Sequence, residues 1–499
     1  MKLSRCKIAV LCCLLIAPML LASCARRGAG EAETTTQRAE YTGNRTDLWD
    51  EEKNPPYTGD AWVPPGGDEP ESPDPDEPEE PEQPEQPDDP GDLTPELPDF
   101  DNAEFVILSS ADGFFVPEDW VDSDSEMVMD PLSQALFARN MAVEVTLNID
   151  FQIVVTPGSN IVNIVRNSVQ SEVDLYHTVL APLNTASVLA GEGLYMNLYD
   201  LPWLDPDAEW WCQGFLAAAE LNGSLPMATG ALLPSLYRAA YVVYYNREYF
   251  GANELTELAE RGGWTMEAFD EMARTLGAAG AENVVGSSFR QGFGAELTVR
   301  ETDGHVTLRG LDEKACDAMS LLSELWRQGE PVTLASNPDD AAGMFSSRQA
   351  ALLVGRVYDA ETIIKEGRVN FGILPMPKLD SSQTAYYTGA SLTHGTVAVP
   401  AYKNAPDLDM VGIVLETLCA ASEETVLTEY FTRTVGHPED MELLESLQQM
   451  LRWDFMDVYC SQFGNSTYWE NAFRQDRSLQ YVYNTMRELM LVQLNELQS

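Results

Sequence analysis

Leu221 to Leu276 reads LNGSLPMATGALLPSLYRAAYVVYYNREYFGANELTELAERGGWTMEAFDEMARTL, and the organisation of the whole chain follows from it. Asn222-Gly223, set between two short apolar runs, is the dipeptide of a tight two-residue hairpin. From Ala239 to Tyr245 there is no charge, as expected of a strand buried on both faces. Asn246 closes that strand and is placed to cap a short helix after it. Trp264-Thr265 then opens a second helix, with Thr265 as N-cap and Phe269, Met272, Ala273 and Leu276 as its apolar face. A buried crossing strand between two such blocks, in mid-chain, is the sequence of a hinge.

Upstream, strands and helices alternate. Glu104 to Ser109 is an apolar strand ending in Ser109-Ser110-Ala111-Asp112-Gly113, where a ligand loop belongs at the C-terminal end of a strand. A helical pattern follows from Pro131 to Val143. A strand from Phe151 to Val155 comes next, then a helix after Pro157-Gly158-Ser159, then a strand from Asp174 to Leu180. This βαβα order predicts a parallel α/β sheet. Downstream, Leu311 to Gln328 has the spacing of a core-packing helix, and Met344 to Val354 is a helix end feeding a strand. Asn370 to Lys378 and Thr396 to Pro400 are further strands, and Asp407 to Leu497 is mostly amphipathic helix.

The turn, the strand ending "YYN+E.F" and the "GWT" helix opening together resemble the middle of the extracellular solute-binding proteins of bacterial ABC importers, the maltose-binding-like group. Asn246, Phe250, Trp264 and Thr265 stand at that group's Asn-Lys and Trp-Thr signatures, with Arg247 in place of the usual Lys. "LFARNMAVEVTLNIDF" from Leu136, "DLYHTVLAP", "AGEGLYMNLYDLPWLD" and "AEWWCQGFLAAAELNGSLPMATG" resemble successive blocks of the same group, as does "MFSSRQAALLVG" later. The resemblance covers roughly Phe105 to Tyr483. It implies a periplasmic-binding-protein-like type II α/β fold: two α/β lobes joined by a hinge of crossing strands, with a helical C-terminal part. Residues 100–235 and 245–365 are the expected lobes 1 and 2, each completed by part of 370–499. It also implies a solute-binding function, with a carbohydrate or oligosaccharide as solute and an ABC permease as partner.

At the N-terminus, Lys2, Arg5 and Lys7 precede an apolar run from Ile8 to Leu21, which has the form of a secretory signal. It ends Leu21-Ala22-Ser23-Cys24, which resembles a lipobox. The expectation is a signal peptide over 1–23, a diacylglyceryl group on Cys24, and anchoring at the extracytoplasmic face of the cell membrane. No later run reaches the ~20 apolar residues needed to span a bilayer. Residues 24–99 are poor in apolar groups, and from Pro64 to Pro98 Pro alternates with Glu and Asp. Such a segment stays extended, as a stalk or as low-complexity drift; at ~3.1 Å per residue its Pro-rich part reaches on the order of 100 Å.

Residues 1–99 hold 8 Lys and Arg against 23 Asp and Glu, so the remainder carries −35 of the net −50. That field repels nucleic acid and polyanions and favours neutral or cationic solutes unless a local basic pocket overrides it. Beyond the leader and Cys24 there remain Cys212, Cys316, Cys419 and Cys460, compatible with two disulfides or with buried thiols. No nucleophile elbow, Walker loop, HExxH or dinucleotide fingerprint occurs, and no cofactor or metal is expected. Ligand contacts are sought among aromatics that stack on sugar rings and polar groups that bond hydroxyls. The candidates are Asp112, His177, Trp211, Tyr237, Arg356, Tyr358, Tyr387 and Trp469. Trp211 competes with a core role, and His177, expected near the C-terminal end of its strand and facing a cleft, with a structural one. A surface glycan-active enzyme or an adhesin on an acidic stalk are the rival readings.

Overall fold

A computed structural model describes residues 97–113, 116–121, 130–251, 254–278, 283–286, 298–308, 332–403, 407–459 and 479–498. The leader, Cys24, nearly all of the stalk, the helix expected over Leu311 to Gln328, Cys316, Cys460 and Trp469 lie outside these residues. The strands are β1 (Ala103–Ser110), β2 (Ile149–Thr156), β3 (Thr178–Pro182), β4 (Tyr241–Asn246), β5 (Asn283–Gly286) and β6 (Thr298–Arg300). They continue as β7 (Val306–Leu308), β8 (Val332–Leu334), β9 (Ala350–Arg356), β10 (Phe371–Leu374) and β11 (Gly395–Ala398).

In the first lobe the sheet order is β11-β3-β1-β2. β1 is parallel to β2 and β3, whereas β11 is antiparallel to β3. Helices α1 (Pro131–Leu147) and α2 (Gly158–Gln170) cross between the parallel strands, and α3 (Leu183–Gly191) follows β3. α1 starts where Asp130 accepts from Leu132 N and Ser133 N, with Pro131 at its first position, and ends where Asn148 turns left-handed at φ 51°. α2 presents fully buried Ile161 and Val165 to the sheet. β3 begins at Thr178, four residues later than the sequence suggests, because Leu175 is exposed and Asp174 to Tyr176 stay outside the ladder.

The second lobe has the order β10-β4-β9-β5-β8. Every residue of β4 and β9 is buried, which explains why the Ala239 to Tyr245 stretch tolerates no charge. Trp264, Phe269 and Ala273 are fully buried beneath this sheet, on and just before α5 (Met266–Ala278). Thr265 Oγ accepts from Ala268 N at 3.3 Å, the cap that the sequence expects. Asn246 does not cap a helix: its Oδ1 accepts from Glu248 N in a turn, and the next helix starts only at Glu254. α6 (Pro338–Ser346) and α7 (Asp359–Glu366) flank β9. β6 and β7 form a separate antiparallel ribbon.

β11 lies in the first sheet although its neighbours in sequence build the second, so the chain must cross back. Ala240 faces Ala390 antiparallel, with Tyr241 N donating to Gly389 O (3.0 Å) and Ser391 N to Ala239 O (2.9 Å). A third segment joins on the far side: Thr388 N donates to Met450 O (3.0 Å) and Arg452 N to Thr388 O (2.9 Å). Among the described residues, three hydrogen-bonded segments thus link the lobes, and the small residues at their centre, Ala239, Ala240 and Ala390, are buried. The hairpin at Asn222-Gly223 is present as expected, with both residues at positive φ (52° and 76°) and Leu221 bridged to Ser224.

Candidate functional site

One edge of the hinge is a cluster of paired charges. Arg238, the charged residue just before the apolar crossing stretch, is buried at the end of the short helix Pro234–Arg238. It donates to Glu118 of the first lobe at 2.5 Å, pairs with Glu361 on α7 at 3.4 Å, and lies 5.2 Å above the Tyr358 ring. Arg356, the last residue of β9, is bonded to Asp359 at 2.7 Å and Asp339 at 3.2 Å, with its guanidinium 5.7 Å from the same ring. Tyr358 is therefore held by two guanidinium groups at the boundary between lobes, with part of its surface open. Burial pushes the Asp359 and Glu361 carboxyls up, and the neighbouring arginines pull them back.

The other expected contacts are dispersed. Asp112 lies just past β1 as expected, and its carboxylate accepts from Gly158 N at 2.7 Å, capping α2. His177 is not near the C-terminal end of its strand. It precedes β3, beside Val106 in the middle of β1, where Nδ1 accepts from Val106 N (2.9 Å) and the ring stacks on Phe105 at 5.0 Å. Burial holds its pKa below the usual imidazole value. Trp211 is 1% exposed and donates from Nε1 to Glu416 at 3.0 Å, where burial raises the carboxyl to about 7. Tyr237 is equally buried, bonded to Gln448 and edge-on to Phe431. Tyr387 is exposed, with the Arg452 guanidinium 4.8 Å over its ring. Cys212 and Cys419 are buried free thiols.

Tyr387 leads to the opposite edge of the hinge and to a cavity of about 430 Å³, within the range of small-solute pockets. One wall is α4 (Gln213–Ala219) of the first lobe and another is the β6–β7 ribbon, with Arg452 to Phe455 of the third crossing between them. Asp454 fixes the ribbon by accepting from Thr298 N (2.8 Å) and Thr298 Oγ (2.9 Å). Arg300 reaches from β6 to the end of α4, donating to Ala217 O (3.2 Å) and Glu220 O (2.6 Å). Only glycine fits at 214, since a Cβ there would sit 1.9 Å from Leu451 O, so α4 lies directly on the crossing backbone. Sequence reasoning missed this cavity. Its signal was the charged-aromatic-charged triplet Arg452-Trp453-Asp454 between two helical patterns.

Among the described residues no His, Cys, Asp and Glu group has the arrangement of a metal site. No protein-family profile matches the sequence, and neither does any curated protein. Solved structures do match. The galacto-N-biose/lacto-N-biose I-binding protein of an ABC transporter from Bifidobacterium longum aligns over 80% of this chain and 98% of its own, at 10% identity and a TM-score of 0.54. The GacH receptor of Streptomyces glaucescens, solved unliganded and with acarbose, aligns over 79% of this chain and 99% of its own, at 13% identity and a TM-score of 0.50. The chain therefore shares the periplasmic-binding-protein-like fold of these proteins, two α/β lobes on a hinge of crossing segments.

Proposed function

We propose that this protein is an extracytoplasmic receptor that captures a carbohydrate between its lobes and hands it to an ABC permease. The observation that carries the reading is the three-segment hinge beside a cavity of about 430 Å³ walled by α4 of the first lobe, the third crossing and the β6–β7 ribbon, in a fold shared with the two binding proteins above. Lobe 1 comprises about 100–235 and lobe 2 about 245–365, each with a part of 370–499. The apolar leader and Cys24 support a lipid anchor at the cell membrane, and the acidic Pro-rich segment supports a stalk that lifts the lobes from the surface. Arg356, Tyr358 and Tyr387 are the sequence-selected residues that border the lobe boundary; Asp112 contributes through α2, and Trp469 is an expectation from the sequence.

A thermal-shift screen over neutral and acidic saccharides, with product release assayed in parallel, tests this reading. A binder at 100 times its Kd stabilises by about 2.7 kcal/mol, so a clear rise in Tm without product is expected. Product formation would instead favour a glycan-active enzyme. Stabilisation by peptides or polyamines and by no saccharide would overturn the carbohydrate assignment.

A further inference from the structure

The Arg238 side chain is 6% exposed and has carboxylates from both lobes against it. On the first-lobe side, Ser235 N and Oγ of the helix Pro234–Arg238 donate to Asp119 (2.6 and 2.5 Å), which fixes that helix to the Val116–Glu118 turn. Arg238 donates to Glu118 of the same turn at 2.5 Å. On the second-lobe side stands Glu361, in the first turn of α7, 3.4 Å from the other terminal guanidinium nitrogen. The two contacts are unequal: the one to Glu118 is short, and the one to Glu361 lies at the far limit of a hydrogen bond. A buried guanidinium that loses its last partner is strongly destabilised, but Arg238 keeps Glu118 when Glu361 departs, so the second contact breaks readily. The first lobe also presents Arg433, on the helix Thr428–Thr434 that packs against α1, and Arg433 is itself paired at 2.8 Å with Asp130. Arg238 and Arg433 attract the Glu361 carboxylate more than Glu118 and Asp130 repel it.

We propose that Arg238 and Glu361 form a latch across the hinge, which holds the lobes of the solute-free protein in the arrangement seen here and releases by breaking one partly exposed ion pair. A pair of this kind shifts a two-state ratio by about 2- to 5-fold. That is enough to bias the lobes, and too little to oppose a solute that touches both of them. The purpose of the latch rests on the receptor reading above, but its action is measured on the protein without solute.

Pulsed dipolar spectroscopy on the intact, solute-free chain measures the lobe separation from labels at Val155→Cys in β2 and Leu489→Cys in the helix Leu479–Leu497, both exposed positions. The second label reports on the second lobe because Met486, Met490 and Leu494 of that helix share a core with β4 and β9. Glu361→Gln keeps the shape of the side chain and removes its charge; it should raise the ratio of displaced to held separations about 2- to 5-fold. Glu361→Asp keeps the charge on a shorter arm and should stay closer to the parent. At 27% exposure the Glu361 side chain is not a core element, so both variants fold and the comparison is of lobe positions alone. A parent-like distribution for Glu361→Gln overturns the latch, as does a larger change for Asp than for Gln, which would mark packing and not charge; either leaves the receptor standing. A screen in which no saccharide stabilises the protein overturns the receptor reading, while the distances still decide the latch.

Discussion

Replacing Trp264 by Ala should cost the second lobe about 3–5 kcal/mol, the usual range for deleting a large buried aromatic. Its side chain is fully buried, edge-on to Phe269 at 6.0 Å, and its Nε1 donates to Pro375 O at 2.8 Å. The backbone of the same residue accepts from Lys378 N at 3.0 Å, so the ring and the main chain tie the start of α5 to the segment leaving β10. Loss of the ring opens a cavity and leaves a carbonyl without its partner. Trp264→Phe keeps most of the volume and should cost less. Urea unfolding followed by circular dichroism checks this, and a midpoint equal to that of the parent would show that Trp264 does not anchor the lobe.

Asp359→Ala should cost about 3 kcal/mol, at the lower end of the range for breaking a buried ion pair, because Asp339 and the Tyr358 face continue to accompany Arg356. The carboxylate is 1% exposed and accepts both from the Arg356 backbone N–H (2.7 Å) and from its guanidinium (2.7 Å). Asp359→Asn retains an acceptor for the backbone N–H and loses the charge, so it should fall between parent and Ala. Equal midpoints for Asn and Ala would show that charge alone is at stake. The consequence extends to Tyr358, which loses one of the two guanidinium groups in place around it.

The parts of the fold legible in the sequence are those set by local chemistry. Asn222-Gly223 dictates its turn through positive φ, Thr265 dictates a helix start through its hydroxyl, and an uncharged run dictates a strand with no solvent-facing side. Boundaries were less legible where tertiary pairing decides them. Nothing local to Asp174 to Tyr176 tells that the ladder with β1 begins only at Thr178, and His177 was misplaced along its strand for that reason. The site was legible only in outline. Trp211 and Tyr237 look like sugar platforms by residue type, yet both are enclosed by helices far away in sequence, through Glu416 and Gln448. Arg238 and Arg452 were passed over because their roles come from what the crossings bring to them: Glu118 and Glu361 in one case, Tyr387 and the cavity in the other.

Closure of the two lobes on a solute is a shift between populations, and a solute favours the closed form only by touching both lobes. Spin labels at Val155→Cys in β2 and Ile364→Cys in α7, both exposed positions and one in each lobe, report the separation without interference from the stalk. Pulsed dipolar spectroscopy with and without a saturating saccharide from the thermal-shift screen should give a shorter and narrower distance distribution in the loaded protein. Identical distributions for a saccharide that demonstrably binds would contradict a receptor that works by closing.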